Sequence, residues 1–190
     1  MTRIIGISGS LRQGSYNSAL LRNAAELVPA GCTLEIASIK DIPLYDGDLE
    51  NQNGIPAAVA ALKDRVAAAD GLLLATPEYN HSIPGVFKNA IDWMTRPASD
   101  IARVFGDRPV GLIGATPGGM GTTFSQTAWL PVLHTLGTRP FFGKALYVSG
   151  AAKIFDAEGR LTDAALRERL HVYMEQFTAF VAAQAPAKTI

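Results

Sequence analysis

The sequence predicts an α/β protein with a doubly wound, five-stranded parallel sheet and helices on both faces. Short apolar runs bounded by Gly and Pro alternate with longer segments of helical period, the pattern of a parallel sheet covered by helices. The chain has 190 residues, 48% of them hydrophobic and 18% charged, which suits one globular domain. Loops rich in glycine, proline and polar residues follow three of the predicted strands. Ligands of such sheets bind at the carboxyl ends of the strands, so these loops are the candidate site.

The first half of the alternation contains two strands and two helices. Residues 4–8 form an apolar run that predicts a buried strand, and a helix is expected over residues 17–28. Its apolar stripe consists of Leu20, Leu21, Ala24, Leu27 and Val28. A second strand is expected over 34–39, followed by a polar loop through Pro43 and Gly54 and a helix over 55–69.

The second half continues the same order. Residues 71–75 predict the third strand, and Ser82 and Pro84 suit the N-cap and first turn of a helix that runs to about Met94. The remaining segments are a strand over 109–115, a helix over 122–136, a fifth strand region over 140–148 broken by Gly143, and a helix over 161–183. Residues 1–184 are therefore expected to form a single domain and residues 185–190 a flexible tail.

Composition argues against several classes of function. Seventeen basic and seventeen acidic residues balance to zero, without the basic excess that nucleic-acid binding needs. The apolar runs are shorter than the roughly 18 residues of a membrane span. Cys32 is the single cysteine, so neither an intrachain disulfide nor a zinc or iron–sulfur cluster spacing is possible, and its setting favours packing. The N-terminal apolar stretch is too short for a signal peptide, and we expect a cytoplasmic protein.

The loop after the first strand has the features of a phosphate cradle. Gly9 and Gly14 allow tight turns that bring backbone N–H groups close to an anion, and the loop leads directly into the positive N-terminus of a helix. Side chains that can grip phosphate oxygens are Ser10, Arg12, Ser15 and Asn17. The spacing matches neither a Walker loop nor a dinucleotide fingerprint. A plain turn in which Ser15 or Asn17 only caps the helix is the alternative.

The next two loops favour a flat ligand. Residues 76–85 contain two prolines that stiffen a segment offering an aromatic ring and many backbone polar groups, although Tyr79 could equally pack in a core or interface. Residues 116–123 hold three glycines within four positions, which indicates close approach of the backbone to a ligand. Met120 could touch a ring or fill a gap. Together the three loops predict one site for a flat, phosphorylated cofactor.

Three motifs carry a resemblance to a known family. They are residues 9–17 (Gly-Ser-Leu-Arg-Gln-Gly-Ser-Tyr-Asn), residues 77–80 (Pro-Glu-Tyr-Asn) and residues 84–93 (Pro-Gly-Val-Phe-Lys-Asn-Ala-Ile-Asp-Trp). In that order they resemble the NAD(P)H-dependent FMN reductases of flavodoxin-like fold, which include chromate, quinone and azo-dye reductases. By position, the resemblance implies phosphate contacts from Ser10, Arg12, Ser15, Tyr16, Asn17 and Ser18. It implies ring contacts from Pro77, Glu78, Tyr79 and Asn80, and contacts to the ring or ribityl chain from Thr116, Gly118 and Gly119.

The resemblance also implies an activity. NADPH or NADH would pass a hydride to FMN, and the electrons would then go to a soluble acceptor such as a quinone, chromate or an azo compound, in ping-pong order. No catalytic side chain and no metal are expected, because the flavin carries the chemistry. The alternatives are a flavodoxin-like electron carrier, or a reductase that supplies free reduced FMN to a monooxygenase. Arg96 and Arg103 are candidates for contact with the NADPH phosphate or with a partner subunit, and solvated surface positions are the alternative.

Family members usually assemble as dimers or tetramers through the helix after the Pro-Glu-Tyr-Asn loop. In this chain, that helix carries more apolar residues than one buried face would need: Val86, Phe87, Ala90, Ile91, Trp93 and Met94. We therefore expect a homodimer or homotetramer.

Overall fold

A computed structural model describes residues 1–184 and confirms the predicted fold class. The strands are β1 (Thr2–Ser8), β2 (Cys32–Ala37), β3 (Gly71–Ala75), β4 (Pro109–Ala115), β5 (Arg139–Pro140) and β6 (Tyr147–Val148). They pair in parallel in the order β2-β1-β3-β4-β5, and β6 pairs with the far end of β4. The strand order reverses between β1 and β3, so the loops after these two strands face the crevice where such sheets bind ligands.

Helices cover both faces of the sheet and enclose two cores. They are α1 (Tyr16–Glu26), α2 (Gly47–Asn53), α3 (Ala57–Ala67), α4 (Gly85–Met94), α5 (Ile101–Val104), α6 (Thr123–Thr135) and α7 (Ala164–Gln184). The first core packs α1 and α7 against one face of the sheet, with Leu20 and Phe177 fully buried. The second packs α3, α4 and α6 against the other face, with Trp93 and Trp129 fully buried. This two-sided cover explains why β1, β3 and β4 are almost continuously apolar.

The predicted polar loop between β2 and α3 is partly wrong, because it contains α2. Asp46 caps this helix by accepting a hydrogen bond from the backbone N–H of Asp48 at 2.9 Å. The helix buries none of its residues, so it lacks the apolar period by which a helix is usually predicted. Its capping signal was present in the sequence at Asp46, followed by acidic residues in the first turn.

The fifth strand is shorter than predicted, since only the two ends of residues 140–148 pair with β4. Between those ends, the hydroxyl of Tyr173 on α7 donates a hydrogen bond to the backbone oxygen of Leu112 at 3.1 Å. The Tyr173 side chain thus gives the Leu112 carbonyl on β4 a hydrogen-bond donor in place of the backbone of a continuous fifth strand. Burial of that hydroxyl raises the pKa of Tyr173 far above its usual value.

The apolar residues of α4 do not form the surplus surface that was expected to need a partner subunit. Phe87, Ala90, Ile91, Trp93 and Met94 are all at most 2% exposed within the single chain. Only Val86 of the six is exposed, at 36%. The second core therefore takes up the side chains that were expected to need a partner. The helix also begins without a side-chain cap: Pro84 occupies the N-cap position, and Ser82 lies in the preceding turn.

Within residues 1–184, no helix combines the length and apolarity required to cross a bilayer. The predicted tail, residues 185–190, lies outside the described part of the chain.

Candidate active site

The first loop joins β1 to α1 and ends in a helix cap. Ser15 is the N-cap of α1, and its Oγ accepts a hydrogen bond from the backbone N–H of Ser18 at 3.3 Å. The Ser15 hydroxyl keeps its own hydrogen for donation. The first four N–H groups of a helix lack intrahelical partners, so those of Tyr16 and Asn17 remain at this end of α1. Ser15 therefore caps α1, and this end of the helix still presents backbone N–H groups of the kind that bind anions.

Arg12 is held beside this helix end by an aromatic stack. Its Nη2 donates to the backbone oxygen of Gly14 at 2.7 Å, and its guanidinium lies 5.4 Å from the centroid of the Tyr16 ring. The Tyr16 ring is in turn stacked on Phe155, with centroids 5.9 Å apart and an interplanar angle of 22°. The cation is therefore oriented by contacts within the chain while Arg12 itself remains exposed.

Asn17 and Ser18 are engaged within the chain. Both groups of the Asn17 side-chain amide bond to the backbone of Ala115, at 2.8 and 2.9 Å. The Ser18 hydroxyl donates to that of Ser8 at 3.0 Å. The Asn17 side chain thus ties α1 to the end of β4, leaving its backbone N–H as the group that can reach an anion.

The second loop is a tight hairpin. Tyr79 and Ser82 exchange backbone hydrogen bonds of 3.1 and 3.2 Å, and the two residues between them have positive φ, 51° at Asn80 and 60° at His81. Two left-handed residues in succession define a type I′ turn, which asparagine tolerates better than histidine. The turn leaves the Tyr79 side chain 50% exposed beside the carboxyl end of β3.

The Glu78 side chain crosses from this hairpin to α6. Its Oε2 accepts hydrogen bonds from the backbone N–H groups of Phe124, at 2.9 Å, and Ser125, at 3.1 Å. Its Oε1 lies 3.5 Å from Nδ1 of His81. The Glu78 side chain is only 10% exposed.

A buried polar group supports the start of the hairpin. The hydroxyls of Thr76 and Ser125 are 2.7 Å apart, and Nε1 of Trp129 donates to Oγ1 of Thr76 at 3.1 Å. Both hydroxyl residues are fully buried. On the same side, Phe87 packs so closely under Gly9 that a Cβ there would lie 2.1 Å from Cδ1 of the phenylalanine ring. The first and second loops therefore rest on one packed layer of α4 and α6.

Backbone hydrogen bonds hold the third loop to residues 150–151, and two of its glycines have open space around them. Thr116 accepts a hydrogen bond at its backbone oxygen from the N–H of Ala151, at 3.0 Å, and Gly118 accepts one from Gly150 at 3.1 Å. Gly121 has a φ of +64°, and a Cβ there would lie 2.6 Å from Tyr147. Within residues 1–184, no atom lies within 4 Å of a Cβ added at Gly119, and only the Thr116 hydroxyl lies that close to one added at Gly118. Contacts within the described chain thus explain why a glycine stands at position 121, but they do not explain the glycines at positions 118 and 119.

The three loops enclose a cleft of about 390 Å³ at the switch point of the sheet. It brings together nine of the residues that the sequence predicted: Ser10, Arg12, Ser15, Tyr16, Asn17, Pro77, Glu78, Tyr79 and Thr116. Ser18, Asn80, Gly118 and Gly119 lie outside its lining, while Ala115 and Pro117 belong to it without having been predicted. These two flank Thr116 and could have been found from their position at the end of a strand.

Both Arg96 and Arg103 form ion pairs with carboxylates of the same chain. This favours surface positions over contact with the NADPH phosphate. Nε of Arg96 donates to both oxygens of Glu50, at 3.0 and 2.8 Å, and this contact lowers the pKa of the Glu50 carboxyl. Arg103 bonds to Asp64 at 2.9 Å and to Asp100 at 3.1 Å.

Comparison with known proteins identifies the family. The sequence model of one family, described as NADPH-dependent FMN reductase, matches residues 2–153 of this chain. The chain belongs to this family. It is 42% identical over 179 residues to an NAD(P)H-dependent FMN reductase of Pseudomonas aeruginosa, covering 94% of this chain and 95% of the relative. It is 34% identical over 179 residues to a 2-hydroxy-1,4-benzoquinone reductase of a Burkholderia species, covering 94% and 96%.

Among solved structures, the chain is similar to FerB, a flavoenzyme NAD(P)H:(acceptor) oxidoreductase from Paracoccus denitrificans. The TM-score is 0.86 at 31% identity, over 97% of this chain and 99% of the other. The predicted family, flavodoxin-like fold and oxidoreductase class are therefore confirmed.

The donors of the cleft fit the cofactor of FMN reductases. One end offers two serine hydroxyls, a guanidinium and a helix N-terminus, which suit a phosphate monoester. The other end offers the stiff hairpin with an exposed aromatic ring, and the open glycines of the third loop lie beside the cleft lining. Since both ends belong to one crevice, a molecule with a phosphate and a planar ring can span them.

Proposed function

We propose that this protein is an NAD(P)H-dependent FMN reductase that passes electrons to a quinone-type acceptor. The observation that carries the proposal is the single cleft in which an anion-binding helix end and a rigid, aromatic-bearing hairpin lie together. The names of the relatives support it, since they include FMN and quinone reductases that match almost the whole chain.

The phosphate of FMN would be held by the first loop. Arg12 would form charge-assisted hydrogen bonds with it, and Ser10 and Ser15 would donate their hydroxyls. The backbone N–H groups of Tyr16 and Asn17 would add the favourable field of the α1 N-terminus. One exposed helix end contributes only about 0.3–1 kcal/mol to anion binding, so Arg12 and the hydroxyls would provide most of the affinity. Ser18 would act through Ser15, whose side chain it bonds.

The isoalloxazine ring would lie against the second and third loops. Pro77 and Tyr79 line the cleft beside the hairpin, and the Asn80 backbone is held in a left-handed conformation next to them. Thr116 also lines the cleft and would contact the ring or ribityl chain. We assign Gly118 and Gly119 to the same contact, because none of the described residues restricts the space around Gly119.

When bound, FMN accepts a hydride from NAD(P)H and passes the electrons to the acceptor. The protein's own part is to bind, orient and tune this cofactor, and no side chain of the site is assigned a proton transfer. The nucleotide and the acceptor would use this cleft in turn, which is ping-pong order. Quinone, chromate and azo compounds are the acceptor classes to test, and NADPH the first donor.

Location and assembly stay predictions. We expect a cytoplasmic homodimer or homotetramer, although the apolar residues of α4 no longer support assembly.

Titration of the apoprotein with FMN tests the proposal at its first step. Quenching of flavin fluorescence with one FMN per chain, and retention of the yellow colour on dialysis, are expected for a bound prosthetic group. Release on dialysis would favour a reductase that supplies free reduced FMN. Absence of binding would contradict the assignment of all three loops.

A further inference from the structure

The first turn of α6 lacks a cap of its own. Thr122 occupies the N-cap position, yet its side chain makes no capping hydrogen bond. The hydroxyl of Thr122 instead accepts from Nε2 of Gln126 at 3.0 Å, inside the protein. A helix of thirteen residues thus begins with N–H groups that need an acceptor from elsewhere.

Glu78 supplies that acceptor from 46 residues earlier in the chain. One carboxylate oxygen accepts from the N–H groups of both Phe124 and Ser125. A negative charge at this position also interacts favourably with the positive end of the helix. The side chain that the family motif assigns to the flavin ring is therefore committed to α6.

The second oxygen of Glu78 faces His81, within the same hairpin. Nδ1 of His81 lies 3.5 Å from it, and the His81 ring packs edge-on against Phe124, with centroids 4.7 Å apart at 89°. His81 carries a positive φ that histidine adopts at a cost. The two contacts place the His81 side chain, which is 71% exposed, against Glu78 and α6 at the second half of the turn.

We infer that Glu78 is a positioning residue, which caps α6 and thereby holds the Tyr79–Ser82 turn in the shape that meets the isoalloxazine ring. The inference rests on the proposed function for the identity of the ring. It differs from the role implied by the family motif, in which Glu78 contacts the ring directly. The two methylenes of Glu78 give its side chain the reach to span from the hairpin to the next helix.

Two variants separate positioning from direct contact. Glu78→Ala removes the cap, and Glu78→Gln keeps an oxygen that accepts from the helix N–H groups while removing the charge. In the apoprotein, amide hydrogen exchange of Phe124 and Ser125 should accelerate in E78A and remain close to wild type in E78Q. Glu168→Gln, an exposed glutamate on α7, is the control and should leave both amides unchanged.

The same proteins are then loaded with FMN. We expect E78A to bind FMN about tenfold more weakly, in line with the loss of one charged cap, and to shift the visible flavin band and the reduction potential. E78Q should restore most of the affinity and the band position. Wild-type exchange at Phe124 and Ser125 in E78A, or an unchanged flavin band and potential in E78A, would overturn the inference. Failure of the wild-type protein to take up FMN would instead overturn the proposed function, and with it the positioning of a flavin ring.

Discussion

The side-chain amide of Asn17 forms two hydrogen bonds with the backbone of Ala115, 98 residues further along the chain. Its Nδ2 donates to the Ala115 oxygen at 2.8 Å, and its Oδ1 accepts from the Ala115 N–H at 2.9 Å. Asn17 lies in the first turn of α1 and Ala115 at the end of β4, so this pair fixes the distance between the first and third loops. One buried amide thus helps to set the spacing of the first and third loops.

Replacing Asn17 with alanine should destabilise the protein by about 2–4 kcal/mol, because it leaves a buried backbone N–H and C=O without partners. FMN binding should also weaken, since the first and third loops would no longer be held together. Urea unfolding of the apoprotein measures the stability. The exposed Asn51→Ala on α2 is the matched control and should change it little. A wild-type unfolding midpoint in N17A would contradict this account of the pair.

Gly9 and Gly14 belong to the same loop but should differ in their tolerance of alanine. A Cβ at Gly9 would lie 2.1 Å from the Phe87 ring, whereas no atom of the described part of the chain lies within 4 Å of a Cβ at Gly14. We expect Gly9→Ala to cost about 1–3 kcal/mol of stability and to disturb FMN binding, because the loop or the ring must move. Gly14→Ala should be nearly neutral in thermal unfolding. Equal effects of the two substitutions would show that Phe87 does not impose the glycine.

Arg12→Ala should weaken FMN binding while the apoprotein keeps its stability. The guanidinium is exposed and packs in neither core, so its loss should not change stability. Loss of a charged hydrogen bond worth about 1.5–3 kcal/mol corresponds to a roughly ten- to hundredfold increase in the dissociation constant. Fluorescence titration with FMN measures the change, and riboflavin, which lacks the phosphate, should bind both proteins equally. The exposed Arg169→Ala serves as control. An unchanged FMN affinity in R12A would refute the phosphate assignment.

Asp100 should make the stability of the folded protein depend on pH. Its hydrogen bond with the buried Lys63, at 2.6 Å, and a second with Arg103 lower the pKa of its carboxyl. Because the folded protein favours the charged form, this stabilisation is present above the ordinary aspartate pKa and is lost as the pH falls through the lowered one. Asp100→Asn should therefore lower the melting temperature at neutral pH and flatten its decline in acid. The exposed Asp41→Asn should leave the wild-type pH profile intact; the same steep profile in D100N would contradict the role of this pair.

Sequence reasoning could predict the sheet and the loops because both depend on local patterns. The apolar runs of β3 and β4 coincide with the predicted bounds, as expected for strands buried on both faces. The α2 helix was missed because it buries no residue and so carries no apolar period. The predicted length of the fifth strand was too great, because in its middle the Tyr173 hydroxyl takes the place of a strand partner. Local sequence patterns do not predict such a contact.

The composition of the site was easier to predict than the direction of its side chains. The motifs identified the three loops, and nine of the expected residues line one cleft. The sequence could not show that the amide of Asn17 is used by Ala115, or that the carboxylate of Glu78 is used by α6, because both partners are backbone groups distant in sequence. Residue identity specifies the available donors and acceptors, whereas tertiary structure decides where each one is used.

The most direct test of the central claim is anaerobic addition of NADPH, and separately NADH, to the FMN-loaded protein while the visible flavin absorbance is followed. The account predicts rapid bleaching of the band by at least one nucleotide, and its return when a benzoquinone is added. A protein that binds FMN but stays yellow with both nucleotides would contradict the proposed reductase activity and favour an electron carrier that receives its electrons from another protein.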